Sequence, residues 1–447
     1  MKTCDVLVVG AGTAGAVCAK RLAQHNLDTV VIDRRTKNLI GKKVCGNATA
    51  YLYFDQLEGL VDRPKESELI WEVEGLDVYG PNMRQKIEIH DPKLSGIMID
   101  RHIFGQRLVH EMIKSGVTLY DSTKCIDLLY ENDKVSGVKV IDVKTNKIDQ
   151  LRAKIIIDAG GYVAPVRNKI RSNYIENKLD MCDVGVCYRE IREMSNDISH
   201  SKYATLCIDY EKCPNGYIWI FPGGNIVNIG LGVAGGHGSP NPKKLFYEFF
   251  TTMPWLNDSK IIDAAGGSVP VRRPLSSLVD KNLMIIGDAA FQTNPIDAGG
   301  IGYSMLAAKY AADVAKSAID ANDTSIDMLW PYNLQYMKEV GSHQAASECI
   351  KGLLQSMTNE EISFAIERKI FDSDDIKKAI KDSRVSLSFF NKLKKGIRGI
   401  RKLGLLKKIN NATKKSQKAM KLYEDYPETK DEFSIWKEKE KKLFSSI

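Results

Sequence analysis

A chain of 447 residues with 43% hydrophobic content can bury a sizeable core and, at roughly 100–200 residues per domain, divides into two or three domains. No apolar run reaches the ~20 residues needed to cross a bilayer. The start, Met1-Lys2-Thr3-Cys4-Asp5, runs into a strand pattern without a signal-peptide cleavage site, so a cytoplasmic protein is expected, at most peripheral on the inner face of a membrane. The net charge of +8 is uneven: residues 391–421 hold twelve Lys or Arg and no Asp or Glu, and the rest of the chain is net acidic. Such a run suits nucleic acid or an anionic membrane. Nine cysteines occur at irregular spacings without a CxxC pair, which points to free thiols rather than to a metal site or an iron–sulfur cluster, although some thermophile cytosols tolerate disulfides.

Residues 5–10, Asp-Val-Leu-Val-Val-Gly, are β-branched and closed by glycine, which predicts a buried parallel strand. A helix over 14–25 and a second strand over 28–33 follow. Apolar groups at 103, 104, 108, 109, 112 and 113 predict an amphipathic helix over 101–115, ended by Gly116. Strands are expected at 135–143 and 151–158, the latter running into Asp158-Ala159-Gly160-Gly161. Residues 217–221 alternate aromatic and aliphatic side chains before Pro222 and Gly223-Gly224 turn the chain, so 226–233 is read as the hairpin partner. A strand at 282–287 and a long helix at 301–319 come next, and beyond 330 the pattern is helical and charged. Alternating helix and strand signals over the first 310 residues define an α/β class.

The sequence Gly10-Ala11-Gly12-Thr13-Ala14-Gly15 lies between the first strand and first helix. Gly10 permits the tight turn, Gly12 lets the backbone approach a pyrophosphate, and Gly15 lets the helix pack on the sheet; the helix N-terminus offers free N–H groups to phosphates. Ala14 belongs to the same cradle. Asp33 closes the second strand, where a carboxylate can accept hydrogen bonds from a ribose. Strand, glycines, helix, strand and acid in this order predict a bound nucleotide, the alternative being a Gly-rich packing turn. Far along the chain, Gly287-Asp288-Ala289-Ala290 closes a strand and Gly299-Gly300-Ile301 opens a helix, a second place for a bound dinucleotide.

The pairing of these elements resembles the FAD-binding pattern of flavoprotein monooxygenases and their relatives. Asp158-Ala-Gly-Gly with Arg167 resembles the middle motif of that superfamily, and Arg101 sits where it often places a cofactor-contacting arginine. The resemblance implies a Rossmann-type FAD-binding domain of the glutathione reductase-like or p-hydroxybenzoate hydroxylase-like kind (1–75, 97–175 and 265–330). It further implies an antiparallel-sheet substrate domain (76–96 and 176–264) and a helical C-terminal region (331–447). Within the superfamily the chain resembles the geranylgeranyl reductase family over nearly its whole length. Tyr217-x-Trp219-x-Phe221-Pro222, seven residues, then Gly230-x-Gly232 looks like that family's substrate signature. Lys43-Val44-Cys45-Gly46 resembles its Cys-Gly loop, with Val44 in place of the usual proline. The implied cofactor contacts are Gly10, Gly12, Ala14, Gly15, Asp33, Cys45, Gly46, Ala48, Arg101, Cys125, Asp288, Gly299, Gly300 and Ile301. Asp288 would take the ribityl chain, and the helix opening at Ile301 would face an isoalloxazine carbonyl.

The implied reaction delivers hydride from reduced flavin to one alkene carbon and a proton to the other. Cys45 is the candidate proton donor or positioning group, the alternative being a small buried hydrophobe. Tyr217, Trp219 and Phe221 are expected to bind the prenyl substrate along an apolar tunnel and to stabilise cationic character through their π faces, the alternative being sheet core. Leu393, Ile397, Ile400, Leu403 and Leu406 suggest an interfacial helix in the basic tail, weakened by Gly396, Gly399 and Gly404. With a lipid substrate, a membrane contact is expected and a nucleic-acid partner is not. The rival functions are a flavin-dependent hydroxylase and a non-catalytic prenyl-lipid carrier. No second GxGxxG is present, which leaves NAD(P)H or a ferredoxin-like protein as electron donor.

Overall fold

The computed structural model describes residues 2–90, 96–132, 134–178, 180–195, 202–236, 238–370 and 403–445. Five strands form a parallel layer in the order Leu283–Ile285, Ile148–Asp158, Lys2–Val9, Thr29–Ile32, Thr118–Tyr120. Val6, Leu7, Val8 and Val9 are all buried, as a strand covered on both faces requires. The helices Thr13–Gln24, Arg101–Lys114 and Ile301–Asp320 pack together beside this sheet. Arg21 of the first and His25 at its end meet Asp313 of the third, which carries a buried alanine stripe (Ala307, Ala308, Ala311, Ala315). Asp100 caps the Arg101–Lys114 helix by accepting from the amides of His102 and Ile103, and Gly116, at φ +99°, turns the chain away beyond its end. Thr123–Glu131 and Lys134–Asp142 extend the sheet as an antiparallel meander onto Ile148–Asp158.

A second sheet follows the order Lys260–Pro270, Val184–Glu193, Ile226–Ala234, Tyr217–Gly223, Tyr203–Cys207, Gly75–Tyr79, Lys86–His90. The 217–223 and 226–234 strands form the expected hairpin, with Phe221 opposite Asn228. One face of this sheet (Tyr188, Ile218, Ile229, Leu231, Val233) packs on Phe246, Phe249 and Phe250 of the helix Pro242–Phe250. The other face carries Trp219, Asn228 and Gly230 toward the first domain. The expected boundary at 264/265 cuts through Lys260–Pro270, which pairs along its length with Val184–Glu193, so the chain returns to the first domain only after Pro270. A third, small sheet of Ala48–Ala50, Gly96–Ile99 and Leu69–Val73 lies between the two.

Two adjacent arginines stand at the end of the second sheet, and the C-terminal helices close on this frame through the second of them. Arg272 pairs with Glu176 at 2.8 Å and Asp183 at 3.3 Å. Arg273 pairs with Glu348 at 3.0 Å and Glu440 at 2.8 Å, and its guanidinium lies 3.8 Å from the Phe444 ring centroid. Of the basic stretch, 391–402, including Leu393, Ile397 and Ile400, lies outside the described residues. The remainder belongs to the helix Leu403–Glu424, which packs along Ser342–Gln355. There Leu405, Ile409, Ala419 and Tyr423 are buried, while Leu406, of the stripe read as an interfacial face, is half-buried. Lys407, Lys414, Lys418 and Lys421 remain exposed. No described helix is long and apolar enough to cross a membrane.

Removing one partner of a buried ion pair leaves the other charge desolvated, at a cost of about 3–5 kcal/mol. Arg273→Ala should therefore lower the urea midpoint by a free energy of about that size. Burial alone would raise the Glu348 carboxyl, but Arg273, Lys351 and Arg272 hold it below its ordinary value. The stabilisation is thus present above the unfolded carboxylate pKa of about 4.3 and is lost as pH falls through the depressed folded value. Unfolding midpoints of parent and variant should converge on acidification.

Candidate active site

The glycine loop folds as the spacing predicts. A Cβ on Gly15 would fall 1.8 Å from the Gly10 carbonyl oxygen, so only glycine allows the helix this close to the strand. A Cβ on Gly12 would meet nothing within 4 Å: this glycine borders open space at the helix N-terminus, where a pyrophosphate belongs. The Asp33 carboxylate accepts from the Ala11 amide at 2.8 Å and the Arg35 amide at 2.8 Å, which fixes it beside the loop at the ribose position. Ala14 touches the second motif, since a Cβ on Gly287 would lie 3.0 Å from Ala14 Cβ. The two nucleotide segments, far apart in sequence, therefore form one groove.

Arg101 opens its helix with a buried guanidinium. One nitrogen donates to Thr13 Oγ at 2.9 Å and another stands 4.0 Å from Cys45 Sγ. Its Nε is buried with no partner, an orphan donor between the glycine loop and the Cys45 loop that a cofactor oxygen would satisfy. With open space at Gly12, this donor set fits FAD. Cys125 is buried on Thr123–Glu131, whose Thr123 amide donates to the Asp33 carbonyl at 2.7 Å. Burial pushes its thiol up to about 12, so Cys125 can offer packing and backbone but no thiolate. Ala48 begins the strand Ala48–Ala50 opposite Met98, on the far side of the Cys45 loop.

That loop is held from the substrate sheet. Asn228 Nδ2 donates to the Cys45 carbonyl at 3.0 Å, and Asn228 Oδ1 accepts from the Trp219 indole at 3.0 Å. Trp219 lies flat on Gly230, where a Cβ would be 2.3 Å from the ring. Phe221 reaches Gly46, a Cβ there falling 2.8 Å from its ring, and joins an apolar cluster with Val73, Met98 and Ala204. Tyr217 donates its hydroxyl to the Asp297 carbonyl at 2.6 Å, just before Gly299-Gly300 and the helix opening at Ile301. Asp288 is paired with Lys43 at 2.5 Å on the other side of that turn. The structure thus brings together the glycine loop, Asp33, Arg101, Cys45, Gly46, Asp288, Gly300 and the three aromatic residues, and leaves Cys125 and Ala48 at the margin. Sequence reasoning missed Thr13, Lys43, Asn228 and Asp297. Asn228 alone carried a signal, as a polar residue within the apolar run 226–233.

Fold and cradle define an FAD-binding flavoprotein, and residues 3–212 match a family model described as an FAD binding domain. Residues 183–269, the substrate sheet with its helix, match a geranylgeranyl reductase catalytic domain. The chain is 31% identical over 436 residues to a digeranylgeranylglycerophospholipid reductase of Sulfolobus acidocaldarius, covering 97% of this chain and 95% of that one. It is 32% identical over 368 residues to digeranylgeranylglycerophospholipid reductase 2 of Methanococcoides burtonii, covering 80% and 86%. A geranylgeranyl bacteriochlorophyll reductase-like protein of Thermoplasma acidophilum superposes with a TM-score of 0.78 at 25% identity, over 92% of this chain and 100% of that one. A flavin-dependent brominase, at a TM-score of 0.64, 16% identity, and 89% and 100% coverage, shares the fold alone. The chain belongs to the geranylgeranyl reductase family.

Because a side chain at Gly12 enters open space, Gly12→Val should fold with unchanged circular dichroism yet purify colourless. Full flavin absorbance in that variant would displace the pyrophosphate from this loop.

Proposed function

We propose that the protein saturates carbon–carbon double bonds of geranylgeranyl chains in archaeal membrane lipid precursors of the digeranylgeranylglycerophospholipid type. The observation that carries this reading is the contact between the aromatic strand and the Cys45-Gly46 loop: an apolar, π-rich wall stands directly against the cofactor groove. When bound and reduced, FAD supplies the hydride. Arg101 and the glycine loop would hold the cofactor, the buried Nε of Arg101 being free to donate to one of its oxygens. Phe221 and its neighbours Val73, Met98 and Ala204 offer an apolar seat for the prenyl chain and exclude water from it. Trp219, locked by Asn228 and Gly230, presents a fixed π face to developing positive charge. Cys45 lines the groove as a positioning group.

The full chain, loaded with FAD and reduced by dithionite, should convert geranylgeranyl diphosphate to products heavier by two hydrogens per saturated bond in mass spectrometry. Unchanged lipid beside persistently reduced flavin would sink the reading.

The exposed lysines of Leu403–Glu424 supply a peripheral contact with anionic bilayers, from which such a lipid is drawn. Changing Lys407, Lys414, Lys418 and Lys421 to Gln should weaken cosedimentation with phosphatidylglycerol vesicles, most visibly below 0.1 M salt, where screening extends beyond ~10 Å. Equal sedimentation of variant and parent would remove the lysines from membrane contact.

A further inference from the structure

Saturating an alkene consumes a proton as well as a hydride, and two carboxylates flank the Gly299-Gly300 turn where flavin groove and aromatic strand meet. Their surroundings differ. Asp288 is buried and carries Lys43 at 2.5 Å. Asp297, among the described residues, has no cation partner; its Oδ1 accepts from the Gly299 amide at 2.7 Å and its carbonyl takes the Tyr217 hydroxyl at 2.6 Å.

Two further tyrosines complete the surroundings. Tyr53, on the short helix Tyr51–Asp55, covers Gly302 so closely that a Cβ there would fall 2.1 Å from its ring. Its ring meets that of Tyr303 edge-on at 5.5 Å. The Asp297 side chain is exposed beside the Gly299-Gly300 turn, and the protein around it lifts its carboxyl above the ordinary range, with the Gly299 amide opposing. Burial first, and then the Asp297 charge, push Tyr217 and Tyr303 up; burial, then Tyr303 and then Asp297, do the same for Tyr53.

We propose that Asp297 is the acid that protonates the second alkene carbon. This rests on the reductase activity proposed above. The hydride pair forms one C–H bond; the Asp297 O–H bond breaks as the second C–H bond forms, its electrons staying on the carboxylate. Solvent at the open side of the groove then returns a proton to Asp297.

The test is a single turnover of the FAD-loaded full chain, reduced anaerobically with dithionite and mixed with geranylgeranyl diphosphate, read by returning flavin absorbance and by lipid mass. The acid must be protonated, so the parental rate should fall as pH rises through the lifted carboxyl pKa. Tyr53, Tyr217 and Tyr303 stay neutral over that range, and the Asp297 variants decide whether the limb belongs to Asp297. Asp297→Asn should keep FAD, turn over ~10²–10⁴-fold more slowly and lose the limb, the span of general acid help. Asp297→Glu should recover part of the rate and retain a limb. A Cys45→Ala control should be slower than the parent but keep the limb, whereas a thiol donor would put the limb in the alkaline range. Asp297→Asn turnover within a few-fold of the parent, or with the parental limb intact, overturns the assignment. Should Asp297→Asn lose FAD, the parent and the Glu variant decide, and absence of a limb below the thiol range in both overturns it. A parent that adds no hydrogen at all brings down the reductase reading itself.

Discussion

The side-chain amide of Asn228 joins two surfaces that the chain builds separately. It donates to the Cys45 carbonyl and accepts from Trp219, so the loop beside the cofactor groove and the aromatic strand cannot shift independently. Hydride transfer tolerates little error, because reacting atoms must approach within about 3–3.5 Å and a misplacement of 1 Å can cost about 10²-fold in rate. Around this bond the other contacts fall into order: Gly230 sets the depth of the indole, Gly46 receives Phe221, and Tyr217 ties the far end of the strand to Asp297. An amide suits the place because one side chain must donate and accept at once. A carboxylate there could not donate to Cys45, and an aliphatic residue could do neither.

The nucleotide half was legible because its signals are local. Strand, Gly10, Gly12, Gly15, helix and Asp33 follow one another within a few turns of chain, and each glycine has a steric reason that spacing alone conveys. The hairpin 217–234 was legible through alternation. The edge strand Lys260–Pro270 was not recognised in full, since its small residues and Gly266-Gly267 give no apolar period, and pairing with Val184–Glu193 rather than propensity makes it a strand. Lys43 reaches Asp288 and Tyr53 covers Gly302 from segments remote in sequence, and nothing in their neighbours announces either contact. In the basic tail the described helix Leu403–Glu424 buries Leu405 and Ile409 beside Ser342–Gln355, while Leu393, Ile397 and Ile400 lie outside the described residues.

Arg273 fixes how the C-terminal helices meet the rest of the molecule, and Arg272 beside it ties Glu176 and Asp183. Both arginines directly follow the strand that carries the chain back from the substrate sheet, so the junction between the domains and the seat of the last helix are one place. Glu440 there also accepts from Ser276 and from the Tyr423 hydroxyl, which satisfies a carboxylate with almost no solvent contact.

The strand Leu283–Ile285 pairs in parallel with Ile148–Asp158, which in turn pairs with Lys2–Val9. The ribosome therefore releases the first strand of the cofactor domain long before the last, with the whole substrate sheet made in between. Neither domain corresponds to one continuous stretch of nascent chain, and no single cut yields a self-sufficient half. Closing such distant contacts carries a large entropic cost before it is rewarded, so assembly should be slow and should expose Val- and Ile-rich edges while it lasts. For a cell making this protein, the vulnerable interval is synthesis, while those edges await their partners.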